Sequence, residues 1–354
     1  MRTGVKSCWI GAVIVLALLG AHRAAARDAG TDLGALVLAT RTDLLAGRAL
    51  IRMPRTAVEA PLARANAASP GTATETRIVV DVGAVRVVVM AFDLFALAGE
   101  DLAASVRESL GARAEEREIS PLALDRADIE AVRARPRVPV LAADAALIDA
   151  VYVALPDDTV VYLAAFVNEA GLGALDAARA FAARVLATIA PGSRTLDRGA
   201  GPRALGPLTV RVPDGFALLE ERGPDFRVFS LLRIVRLGAL SPSLGVYLGD
   251  APSLLSDRTG DVTGLRISRR AGTLLGRSVS WQTWSRSGER VAEIIEPLRG
   301  DSALRGDSAL RGDSTRQGDP TAAFVHVFAR ARSEGALGEL VEIAETLALT
   351  DAEP

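Results

Sequence analysis

Lysine, cysteine and histidine are almost missing from this 354-residue chain. Lys6 is the single lysine, Cys8 the single cysteine, and His22 and His326 are the two histidines. All but His326 lie in the first 26 residues. Those residues read as a secretory signal: Arg2 and Lys6 form a positive start, Trp9 to Leu19 an apolar stretch, and Ala24-Ala25-Ala26 a small-residue cleavage pattern. A membrane span needs about 20 apolar residues, more than this run supplies, so the expectation is cleavage after Ala26 and no membrane span afterwards. Cys8 precedes the apolar stretch and so is not placed as a lipid-attachment cysteine. The expected location is periplasmic or extracellular.

These absences exclude whole chemistries. Without a lysine beyond the signal, a Schiff-base enzyme or a Walker-type phosphate site has no nucleophile or cation to use. Without a cysteine there is no thiol nucleophile, cysteine zinc site, iron–sulfur cluster or disulfide. One remaining histidine excludes a His-Glu-x-x-His metal site. No metal site and no cofactor are therefore expected. Aromatic residues are 4% of the chain, a poor supply of platforms for a sugar-cleaving cleft. The formal charge is −2, and removing Arg2, Lys6 and Arg23 with the signal makes the remainder more acidic. With no basic block, nucleic acid is not an expected partner.

What is present is an internal correspondence. Leu50-Ile51-Arg52-Met53-Pro54 resembles Thr209-Val210-Arg211-Val212-Pro213, each a short alternating strand stopped by proline. Val160–Val167 and Phe324–Ala331 read as strands. Each is followed by Gly-Ala-Leu, at 173–175 and 335–337, and then by an amphipathic helix, to Ile189 and to Leu349. The chain is thus expected to be a duplication: a signal at 1–26, a leader at 27–47, one repeat at 48–190, a linker at 191–206 and a second repeat at 207–350. Hairpins are expected around Asp81-Val82-Gly83-Ala84, Pro156-Asp157-Asp158 and Ser285–Glu289, with further strands at Phe226–Leu237 and Leu244–Leu248. Helices are expected at Glu100–Leu110 and Asp125–Arg133. The expected fold class is α+β, with two related domains, each an antiparallel sheet packed with helices.

A strand ending in Val-Pro-Asp-Gly-Phe at 212–216, then hairpins, then a last strand feeding a long closing helix resembles the PsbP/DcrB-like α/β/α fold of exported bacterial proteins and photosystem accessory subunits. The resemblance implies α/β/α layers in each half and an accessory, non-catalytic role. It carries over no functional residue.

Four residues stand out as candidate contacts for a ligand or partner: Trp281, Trp284, Tyr247 and His326. Positions 281 and 284 of one strand point to opposite faces, so one tryptophan is expected in the core. His326 lies mid-strand between Phe324 and Phe328, a setting for a packed histidine rather than a base, and there is no Gly-x-Ser-x-Gly elbow. No catalytic residue is assigned. Arg299-Gly300-Asp301-Ser302-Ala303-Leu304 recurs at 305–310 and, altered, at 311–316, giving a low-complexity loop over 299–320. The expected function is that of an exported, non-enzymatic accessory or binding protein of the cell envelope, meeting a protein or small ligand there. The alternatives are a secreted hydrolase using paired carboxylates or a Ser–His326 arrangement, and an adhesin using the repeated Arg-Gly-Asp-Ser loop.

Overall fold

The structure is a computed structural model that describes residues 33–60, 67–68, 75–124, 126, 128–142, 144–223, 225–258, 265–298 and 323–350. The expected signal at 1–26 and the whole repeat loop at 299–320 lie outside the described residues. The chain divides into two compact units, with the main change from the first to the second between Thr195 and Leu196; Arg236–Gly238 belong to the first, and Ala67 and Ala68 to the second.

In unit 1, β1 (Thr40–Leu44), β2 (Ala49–Met53) and β10 (Ala190–Pro191) form a small sheet. A larger sheet holds β3 (Val58–Glu59), β4 (Glu75–Val82), β5 (Val85–Leu97), β6 (Arg117–Pro121), β7 (Glu130–Pro136), β8 (Ala145–Ala154) and β9 (Thr159–Val167) in the order β3-β4-β5-β9-β8-β7-β6. Every neighbouring pair on that path is antiparallel. Strands β8 and β9 are buried on both faces along nearly their whole length, which is why they read as almost unbroken apolar runs. Helix α2 (Leu175–Leu186) covers one face with Ala178, Phe181, Ala182, Val185 and Leu186, against Ile78, Val89, Val151 and Leu163. Helix α1 (Leu102–Leu110) covers part of the other with Leu102 and Val106, against Val132, Ala134 and Tyr152. Asp101 caps α1 by accepting from the Ala104 N–H at 2.9 Å, and Gly111, at φ +54, ends it.

Unit 2 has the same plan. Strands β11 (Gly201–Leu205), β12 (Leu208–Val212) and β20 (Ala348–Leu349) make its small sheet. Strands β13 (Phe216–Arg222), β14 (Phe226–Arg233), β15 (Ser243–Gly249), β16 (Ser268–Leu274), β17 (Arg277–Arg286), β18 (Glu289–Pro297) and β19 (Phe324–Ala331) make the larger one, in the order β13-β14-β15-β19-β18-β17-β16. This is the unit 1 order strand for strand, including the unusual step that seats the last strand in the centre. A short helical turn, α3 (Leu255–Arg258), follows β15 where α1 follows β5. Helix α4 (Glu334–Glu345) closes the unit as α2 closes the first. Ser333 caps it, and Leu337, Leu340, Val341 and Ala344 pack on Val246, Val325, Val327 and Trp281.

The expected helix-packed α+β layers need correction. Among the described residues 51% are strand and 19% helix, so this is a β-rich fold in which helices cover only part of each sheet. Two kinds of segment account for the difference. The stretch at 125–133, expected as a helix, runs into strand β7 from Glu130, where Glu-Ala-Val-Arg-Ala-Arg-Pro alternates between faces. Strands β1, β6, β11 and β16 are short or polar edge strands, and they lack the alternation that reveals a half-buried strand. The small sheets also include β1 from the expected leader, and Pro191 of β10 and all of β11 from the expected linker.

Candidate functional site

Strand β17 sends its two tryptophans to opposite faces. Trp281 is fully buried in the unit 2 core on the α4 side, beside Gly272, where a Cβ would press on the indole. Trp284 lies on the other face and donates its indole N–H to Glu293 of β18 at 2.8 Å.

Glu293 is the centre of that face. Its carboxylate is 0% exposed and accepts four hydrogen-bonding groups from three directions. Besides Trp284, the N–H of Leu255 donates at 2.6 Å and the N–H of Ser256 at 3.0 Å, both from the first turn of α3. Nε2 of His326, on β19, lies 3.3 Å away. Burial alone would raise the acid, but the hydrogen bonds from His326, Trp284, Leu255 and Ser256 outweigh it and hold the carboxyl at about 2. His326 is 3% exposed, its ring 5.1 Å from that of Phe328. In the sheet it sits opposite Tyr247 of β15 on one side and Ile295 of β18 on the other. Tyr247 stacks on Phe226 with ring centres 5.7 Å apart.

Three of the four candidate residues, Trp284, His326 and Tyr247, therefore share one sheet face, and Trp281 does not. Glu293 was not singled out from the sequence, although a signal was there. It is a lone acid inside Val-Ala-Glu-Ile-Ile, where period-2 alternation assigns position 293 to a half-buried face. The chemistry of the cluster is that of a brace. Glu293 is ionised, enclosed and saturated with donors, so it has no proton to give and no lone pair facing solvent. A His–carboxylate pair can orient a general base, but here the ring is shut in by Phe328 and the sheet.

Unit 1 has a counterpart. Asp149 of β8, the strand corresponding to β18, is also 0% exposed. Arg133 and Arg135 of β7 approach it at 3.5 and 3.4 Å. Tyr152 and Tyr162 are paired across β8 and β9 with ring centres 4.8 Å apart, and burial pushes both phenols up. A second buried ionic group of unit 1 gathers Arg48, Asp93, Asp157 and Thr159. A surface depression of unit 1, of about 320 Å³, is lined by Arg107, Ala114, Glu115, Arg117, Ile119 and Arg137 and by none of the four candidate residues. Among the described residues no group of three or more His, Cys, Asp or Glu is arranged to hold a metal ion, and no helix is long and apolar enough to cross a membrane.

No family model, curated protein or solved structure matches the chain.

Proposed function

We propose that this is an exported, non-enzymatic accessory or binding protein of the cell envelope, periplasmic or extracellular, made from two diverged copies of one β-rich unit. The signal pattern of residues 1–26 supports export. The shared strand order of the two units supports the duplication. The observation that carries the non-enzymatic reading is the Glu293 cluster: His326, the one histidine outside the signal, is committed to a buried carboxylate that itself caps a backbone turn. A Ser–His hydrolase would need that ring open to substrate.

The test has two arms. Protein recovered from the periplasm or medium is expected to begin at Arg27. Purified protein is expected to turn over none of a panel of nitrophenyl esters, nitrophenyl glycosides and casein. Turnover that disappears in a folded His326→Gln or single-carboxylate variant would overturn the non-enzymatic reading, and a retained residue 1 would overturn the processed export.

A further inference from the structure

Among the described residues, strand β16 is an open edge of the unit 2 sheet, and its register with β17 fixes which of its backbone groups point away from β17. The two strands close through the pair Leu274–Arg277 around Leu275 and Gly276, at φ +52 and +72. That is a two-residue loop of the I′ kind, in which the closing pair is hydrogen-bonded and pairs alternate from there. Ser268, Arg270, Gly272 and Leu274 thus aim their N–H and C=O groups at β17. Arg269, Ala271 and Thr273 aim theirs outward.

Thr273 shows what the edge accepts. Its outward N–H donates to a carboxylate, Glu345 Oε1, at 3.0 Å. The rest of the edge is exposed from Ser268 to Ala271 and carries basic side chains on both faces. Arg266, Arg269, Arg270 and Arg277 are all exposed, and among the described residues none of them makes an ion pair. Ile267, 47% exposed, adds an apolar contact at the start of the strand.

We propose that β16 docks an extended acidic segment of a partner protein, which adds to the unit 2 sheet as a further strand. The main-chain groups of Arg269 and Ala271 supply the ladder bonds, and the arginines choose the partner's charge. A partner stretch of about five residues spans the outward positions. A second copy of this chain is a poorer occupant, because pairing β16 with β16 sets arginines against arginines; charge on an exposed edge works against self-pairing in this way.

The probes are two labelled ten-residue synthetic peptides, one alternating Glu with Val and one alternating Lys with Val, titrated into the full chain. The Glu peptide is expected to bind at least about tenfold tighter at low salt, to weaken as salt rises, and to slow hydrogen exchange at the Arg269 and Ala271 amides. Ala271→Pro removes an outward N–H without taking a bond from β17, and is expected to lose about tenfold in affinity at unchanged far-UV circular dichroism. If that variant does not fold, the double variant Arg269→Glu/Arg270→Glu decides, since it is expected to reverse the peptide preference. Equal binding of the two peptides, protection confined to other strands, or an unchanged preference in the double variant would overturn the proposal. So would a dimer, seen by sedimentation, whose protected amides are those of β16.

Discussion

Trp284 and Glu293 meet diagonally across two neighbouring strands, with the indole N–H on the carboxylate at 2.8 Å and neither group open to solvent. Replacing Glu293 by Gln keeps the shape but turns one oxygen into a donor facing donors. Breaking a buried charged group of this kind costs about 3 kcal/mol. Glu293→Gln is therefore expected to lower the unfolding free energy measured in urea by that amount, and Trp284→Phe by about 1–2 kcal/mol, because three donors to Glu293 remain. Equal stability of wild type and Glu293→Gln would show that the cluster is not a brace.

The same carboxylate sets a pH dependence. Its folded value, about 2, lies below the 4.5 of an unconstrained glutamate. Its contribution is then fully present above about pH 4.5, and is lost as pH falls from there through about 2. Urea midpoints measured from pH 7 down to pH 2 should fall in this window for the wild type. The fall should be shallower for Glu293→Gln, which has no proton to take up at that position.

Arg48 is 5% exposed and contacts Asp93 directly, reaching Asp157 at 3.2 Å and the Thr159 hydroxyl as well. Arg48→Met would strand Asp93 as a buried carboxylate without its cation, at a cost of about 3–5 kcal/mol. The paired change Arg48→Met with Asp93→Leu removes both charges and is expected to be less destabilising than Arg48→Met alone. A double-mutant cycle in chemical denaturation measures this, and simple additivity would count against a coupled pair.

Two glycines allow a contrast between rigid and yielding neighbours. At Gly192 a Cβ would collide with the backbone of Gly47 and Arg48, just where the Gly192 N–H donates to the Arg48 carbonyl at 2.8 Å. At Gly245 it would collide with the ring of Phe328, a half-buried side chain that can turn aside. Gly192→Ala is expected to cost more stability than Gly245→Ala, by about 1 kcal/mol or more, as read from thermal midpoints.

Legibility in the sequence followed burial pattern. The hairpins β4–β5, β8–β9 and β17–β18, both closing helices and the matching ends of the two halves could be read because apolar residues recur there at strand or helix period. The edge strands could not, since a strand such as Ser-Arg-Arg-Ala-Gly-Thr-Leu buries almost nothing and so shows no period. The opposed directions of Trp281 and Trp284 follow from spacing alone. The grouping of Trp284 with His326 does not: it depends on β19 entering between β15 and β18, a long-range pairing that no local pattern records. Alternation marks Glu293 as half-buried but not what saturates it, because two of its donors come from a turn 37 and 38 residues away and His326 lies 33 residues on.

The central position of β9 and β19 bears on the order in which the chain is made. Each is the last in sequence of the strands on its sheet's main path, yet each fills the gap between strands that emerge earlier. Before Thr159 has appeared, β5 and β8 each present a bare inner edge, and the two halves of the unit 1 sheet have nothing to join them. A chain threaded outward from its N-terminus thus stays unfinished until late in each unit, then closes as the last strand and the helix behind it arrive together. The export proposed above would use that delay, since an unfinished unit can still be threaded through a membrane.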